Sequence, residues 1–113
     1  MFEWAAFGKV KYDGTVFNED IVVSSSGDVY SRECKDPHVV TRNEVEDSID
    51  AGTKILLVAT GHYGIVRVLP EVRDFLKSRH IELVEKPTRA AIEYYNSKAK
   101  NKKKRVTAIV RVA

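Results

Sequence analysis

Cysteine is almost absent: Cys34 is the only one among 113 residues, so no disulfide can close within the chain and a cross-linked scaffold is excluded. Long apolar runs are missing too. The longest, Ile55 to Ala59, falls far short of the ~20 residues that a membrane-crossing helix needs, and no membrane association is expected. The opening residues Met1-Phe2-Glu3-Trp4 bring an early acid and no basic flank with an apolar stretch behind it. That excludes a secretory or transit signal as a reading of this segment, and the cytoplasm is the expected address. Three prolines and six glycines gather into no linker, and neither a repeat nor a second domain is apparent. A single domain over residues 1–113 is expected.

Charge of one sign is concentrated rather than abundant. Nineteen Lys and Arg face 16 Asp and Glu, for a net charge of +3. Six of the bases lie in an acid-free stretch: Lys98, Lys100, Lys102, Lys103, Lys104 and Arg105. Without them, 13 bases face 16 acids and the remainder of the chain is mildly acidic. Such a cluster suits phosphates, and equally suits a solvated helix end, where cations complement the negative pole of the helix dipole. No aromatic residue interleaves Asn96 to Arg105, so a platform for stacking bases is lacking. Nucleic acid is not the expected partner.

The first third reads as β-structure. Lys9 to Tyr12 alternates, Asp13-Gly14 supplies a tight turn and Thr15-Val16-Phe17 resumes the strand, a strong hairpin signal. Ile21-Val22-Val23 and Asp28 to Ser31 form a second hairpin around Ser24 to Gly27, and the polar stretch Arg32 to His38 reads as a loop. Helices and strands then alternate. Thr41-Arg42-Asn43-Glu44 matches a capping box in which Glu44 reaches back to the cap, and Gly52 is placed to end that helix. The run from Ile55 to Ala59 is apolar at every position, as in a strand covered on both faces. Pro70 opens a helix striped by Val72, Phe75 and Leu76. Ile81 to Glu85 is the next strand, with His80 at the junction before it. Thr88 caps a helix whose Ala91, Ile92, Tyr95 and Ala99 share a face, and Val106 to Val112 is a last strand. The pattern is α/β with a small β appendage. If the strands at Ile55 and Ile81 are parallel, the loops after Ala59 and Glu85 are neighbours at the sheet edge that ligands favour.

Several of these features together resemble a known family. They are Phe7-Gly8 at the first hairpin, Asp20-Ile21 opening a strand, Thr60-Gly61 closing a buried one, and Pro70-Glu71 at the next helix. Most specific is Thr88-x-x-Ala91-x-x-x-Tyr95-Asn96, followed by Arg105 and a buried terminal strand. The chain resembles, over essentially its whole length, the small single-domain family that includes an adipogenesis-associated human protein and a mitochondrial complex I assembly factor. The resemblance implies a three-layer fold, with a central mixed sheet flanked by helices and an additional N-terminal β-hairpin element. It implies no established catalytic activity. Because the targeting segment of the mitochondrial member is missing here, a role in assembling complex I is not carried over.

The candidate site follows from the two neighbouring loops. Thr60-Gly61-His62-Tyr63-Gly64 carries neither a Walker lysine nor the dinucleotide fingerprint. Its glycines either permit positive φ where the chain leaves the sheet or, with Lys86, Arg89 and the helix start at Thr88, cradle a small anionic ligand. Thr88 and Asn96 lie two helical turns apart on a similar face and would border the same crevice; alternatively Thr88 is a cap and Asn96 bonds the backbone of the final strand. Cys34 and His38 make only two potential metal ligands with no second pair at zinc-like spacing, so neither a metal nor a cofactor is expected. No pair of acids is spaced for general acid/base work, and no catalytic residue is assigned. The leading expectation is a non-enzymatic protein-interaction or assembly-assisting module with a protein partner. The alternative is a binder of a small anionic ligand. Phe2, Trp4 and Phe7 are candidate exposed contacts, with core packing expected for Phe7.

Overall fold

The apolar strand at Ile55 is the axis around which the other elements are laid. The computed structural model describes residues 1–34, 36–99 and 105–112. Three short strands come first, β1 (Phe2–Ala6), β2 (Lys9–Tyr12) and β3 (Thr15–Phe17), and they form an antiparallel sheet in that order. The turn between β2 and β3 places Asp13 and Gly14 at φ 47° and 83°, the left-handed pair that a primed hairpin turn requires. A five-stranded mixed sheet holds β4 (Ile21–Val23), β5 (Val29–Ser31), β7 (Ile55–Thr60), β9 (Glu82–Lys86) and β10 (Val106–Arg111). Its order is β5-β4-β10-β7-β9. Strands β7, β9 and β10 run parallel, and β4 is antiparallel to β10. The two-residue strands β6 (Val39–Val40) and β8 (Arg67–Val68) pair beside it.

Alternation along β7 separates two cores. Ile55, Leu57 and Ala59 pack with helix α3 (Thr88–Ala99) and with Phe2, Val10 and Tyr12 of the three-stranded sheet. Leu56 and Val58 pack on the other face with α1 (Arg42–Ser48) and α2 (Pro70–Ser78). A strand buried on both sides cannot alternate in polarity, which is why its sequence is apolar throughout. The layers are therefore those expected: helices on both faces of a mixed sheet, with a β element beside one helix. No helix among the described residues is long and apolar enough to cross a membrane.

Two local expectations are corrected. Thr41 caps α1, accepting from the Glu44 amide at 3.3 Å, but the Glu44 carboxylate does not return to the cap. It pairs with Arg111, whose charge is a stronger partner than an exposed amide. Helix α1 also ends at Ser48 rather than near Gly52, because Ile49 is extended (ψ 157°). There the Asp50 carboxylate takes over the chain, accepting from the Gly52 amide at 2.8 Å and the Ser25 hydroxyl at 2.7 Å. These bonds hold its pKa below the usual carboxylate value, with Ser25 the largest cause.

Arg111, at the end of β10, is 2% exposed. Its Nη1 and Nη2 donate to Glu44 Oε2 and Oε1 at 2.7 and 2.6 Å. Nη2 also donates to the Val39 carbonyl at 2.9 Å, and Nε to the Pro37 carbonyl at 3.2 Å. Burial disfavours the charge, but Glu44 outweighs it and the guanidinium is held above its ordinary pKa. Removing Glu44 leaves the buried guanidinium only the Asp20 carboxylate, 3.8 Å away, against its charge. Glu44→Ala is therefore expected to cost about 3–5 kcal/mol, read as a lower urea midpoint. Glu44→Leu combined with Arg111→Met should recover most of that loss.

The core between the main sheet, α3 and the three-stranded sheet carries a phenol pair. The Tyr12 and Tyr95 hydroxyls lie 3.4 Å apart, both rings standing edge-on to Phe2. Burial pushes both phenols above their ordinary pKa, Tyr95 most. A raised folded-state pKa contributes stability that is fully present below the unfolded value of about 10 and is lost as pH rises beyond it. The urea midpoint is expected to fall above pH ~10, and Tyr95→Phe should flatten that fall.

Candidate interaction site at the end of the parallel sheet

Because β7, β9 and β10 are parallel, their C-terminal ends share one edge. Ala59 pairs with Lys86 across β7 and β9, and Thr60 with Arg111 across β7 and β10. The loops after Ala59 and Glu85 are thus adjacent, as their sequence order suggested.

Thr88 joins all three strand ends. Its hydroxyl donates to the Arg111 carbonyl at 2.8 Å and accepts from the Gly61 amide at 3.0 Å, while its own amide donates to the Gly61 carbonyl at 3.0 Å. It is the first residue of α3 and bonds across to other loops, so the expected cap becomes a clamp. The Gly64 amide also donates to the Gly61 carbonyl, at 3.1 Å, and the Val66 amide to the Thr60 carbonyl, at 3.1 Å. Gly61 and Gly64 adopt φ 95° and 69°. A side chain at Gly64 would also come within 3.3 Å of Pro87 Cγ, so glycine is required there twice over.

Several groups considered for an anion cradle are thereby engaged within the chain: the Gly61 and Gly64 amides and the Thr88 hydroxyl. The Lys86 ammonium lies over the Tyr94 ring, 5.7 Å from its centroid, and Lys98 lies 5.5 Å from the same ring. Asn96 is drawn to β1, where its amide brackets Phe2. Asn96 Oδ1 accepts from the Phe2 amide at 2.9 Å and Nδ2 donates to the Phe2 carbonyl at 2.7 Å. Its backbone partner is the first strand, not the last. Arg89 is exposed. Lys100 and Lys102 to Lys104 of the basic cluster lie outside the described residues.

What remains open at this edge is aromatic. The turn between β1 and β2 is tied down where the Gly8 amide donates to the Val112 carbonyl at 2.7 Å. That bond sets Phe7 over the sheet end, 61% exposed, so the expected core packing of Phe7 is corrected. The Phe7 centroid lies 6.1 Å from His62 and 5.9 Å from Tyr63, and these two rings are 5.0 Å apart. Tyr63 is 74% and Ile65 58% exposed. Of the other N-terminal candidates, Phe2 is buried in the core, and Trp4 is partly exposed on the three-stranded sheet. The three-ring group was missed from sequence, although the signal was there: Phe7-Gly8 and Tyr63-Gly64 each place a large ring beside a left-handed glycine, at a bend that cannot be buried in a sheet.

The remaining candidate chemistry is modest. Cys34 is half-buried, its thiol pushed up by burial, and His38 Nδ1 sits 3.9 Å from Asp36. Among the described residues no three His, Cys, Asp or Glu side chains gather as a metal site.

The fold built around this mixed five-stranded sheet is shared with other proteins. The chain belongs to the family of proteins of unknown function DUF498/DUF598, whose model matches residues 2–110. No curated protein matches it. Its structure is similar to that of the conserved hypothetical protein PH1505 from Pyrococcus horikoshii OT3 (TM-score 0.82, 31% identity, 100% of this chain and 98% of that one). It is also similar to a protein named MT938 (TM-score 0.83, 26% identity, 100% and 97% covered). A protein described as an outer membrane protein from Bartonella henselae shares the fold (TM-score 0.80, 22% identity, 98% and 92% covered).

Thr88→Val keeps the shape and deletes the clamp, leaving the buried Gly61 amide and Arg111 carbonyl without that partner. A loss of about 2–4 kcal/mol is expected in urea unfolding, whereas Thr88→Ser should retain most of the stability.

Proposed function

We propose that this chain is a non-enzymatic, cytoplasmic protein-interaction module that docks a protein partner on the aromatic group formed by Phe7, His62 and Tyr63, with exposed Ile65 two residues further on. One observation carries the reading. Rings from two separate loops meet at 5.9–6.1 Å, and those of Phe7 and Tyr63 stay in the open, although the same rings turned inward would have added to a core. Exposed apolar groups gathered in one place mark interaction surfaces far more often than single exposed residues do. The loops that carry them are held by backbone bonds and by the Thr88 clamp, so the surface is preorganised and little ordering entropy is lost on docking. Resemblance to a family that includes an assembly factor supports an assembly-assisting role for such a module.

The reading is tested with a photo-crosslinking amino acid at position 63 and, as control, at the exposed position of Lys77 on α2, in cells expressing the full chain. A discrete adduct at position 63, absent at 77 and lost when Phe7→Ser is added, is expected. Equal labelling at both positions, or none at 63, would sink the proposal. Because Phe7 and Tyr63 are mostly in solvent, Phe7→Ser and Tyr63→Ser should each change stability by no more than about 0.5 kcal/mol.

A further inference from the structure

The rim of the aromatic group says more about its occupant than the rings do. Lys9 follows the Phe7-Gly8 turn, Arg67 follows Ile65 and Val66, and Arg89 follows the Thr88 clamp; all three are exposed. Among the described residues none of the three takes part in an ion pair; Arg32, Arg42, Arg73 and Lys11 each face an acid, whereas Lys54, Lys77 and Arg79 do not. Asp36, one of two acids in the loop leading to β6, is turned to His38 instead: it accepts from the His38 amide at 2.9 Å. Three exposed cations thus sit within two residues of Phe7, Ile65 and Thr88 along the chain, on a chain whose residues outside the basic cluster carry more acids than bases.

Size decides between a second copy and a shorter occupant. Phe7, Tyr63 and Ile65 together expose on the order of 400 Å², about half of the roughly 800 Å² per partner that a stable protein pair buries. The cations would also repel one another across a symmetric pair of identical surfaces. A short segment with one apolar anchor and acidic flanks answers both constraints: the anchor covers the rings, and the flanks meet Lys9, Arg67 and Arg89.

We propose that this edge binds an acidic peptide segment carrying an aromatic or leucine anchor. The proposal rests on the interaction reading above and names its partner class. It is tested by panning a random peptide library on the full chain and measuring the enriched peptide by fluorescence anisotropy. Enrichment of net-negative sequences with an apolar anchor is expected. Binding should weaken at least tenfold with Phe7→Ser/Tyr63→Ser, and at least tenfold with Lys9→Glu/Arg67→Glu/Arg89→Glu. It should also weaken several-fold from low to high salt, as screening requires. Circular dichroism confirms that both variants are folded. Enrichment of neutral or basic peptides, or of none, overturns the proposal. So does sedimentation with phosphatidylserine-containing vesicles that Phe7→Ser/Tyr63→Ser abolishes, since the surface would then be a lipid contact. If the position-63 adduct persists while the library yields no acidic sequence, the interaction stands and the acidic partner falls; if both fail, both fall.

Discussion

One hydroxyl holds the C-terminal edge of the parallel strands together. Thr88 receives the amide that ends β7 and donates to the carbonyl that ends β10, while its own backbone begins the helix after β9. Three strand ends thereby meet at a single residue. Directly behind it, the Arg111 side chain binds the loop before β6 and the first turn of α1 through Pro37, Val39 and Glu44. Backbone of one residue and side chain of the next layer are thus coupled: Arg111 offers its carbonyl to the clamp and its guanidinium to the opposite core. The polar interior is small but spans both faces of the sheet.

That coupling explains why the exposed rings are where they are. A loop that must lend its amide to Thr88 has to turn sharply, and it does so with Gly61 and Gly64 in left-handed conformations. The two residues between them project outward. The β1–β2 turn approaches from the other side, held by Val112, and brings Phe7 to His62 and Tyr63. Exposed aromatic group and structural clamp are therefore not separable features. One dictates the bend and the bend presents the rings.

Much of the architecture was legible in the residues. The apolar run at Ile55, the Asp13-Gly14 turn, and the helix stripe of Val72, Phe75 and Leu76 each announce an element by a local rule, and each appears. The adjacency of the Ala59 and Glu85 loops followed from the handedness of parallel crossovers. Long-range polar pairing was not legible. Glu44 obeys a capping pattern that its neighbours support, yet Arg111, distant in sequence and the one charge among apolar residues in β10, claims its carboxylate. Asn96 likewise bonds a strand at the opposite end of the chain. Local spacing holds no information about partners that only the closed sheet brings within 3 Å. Strand β1 also escaped notice, because Glu3 and Trp4 interrupt the alternation at a bulge in its pairing with β2.

The placement of β10 has a bearing on how the molecule is made. It is the last strand in chain order, yet it sits between β4 and β7, completing ladders to both. On the ribosome, those two apolar strands emerge long before the element that separates them. Until it arrives, each presents a bare row of amides and carbonyls of the kind that recruits foreign strands. Productive folding thus waits for the final segment of the sheet to clear the exit tunnel. A message truncated before Val106 would yield a sticky nascent product rather than a smaller working one.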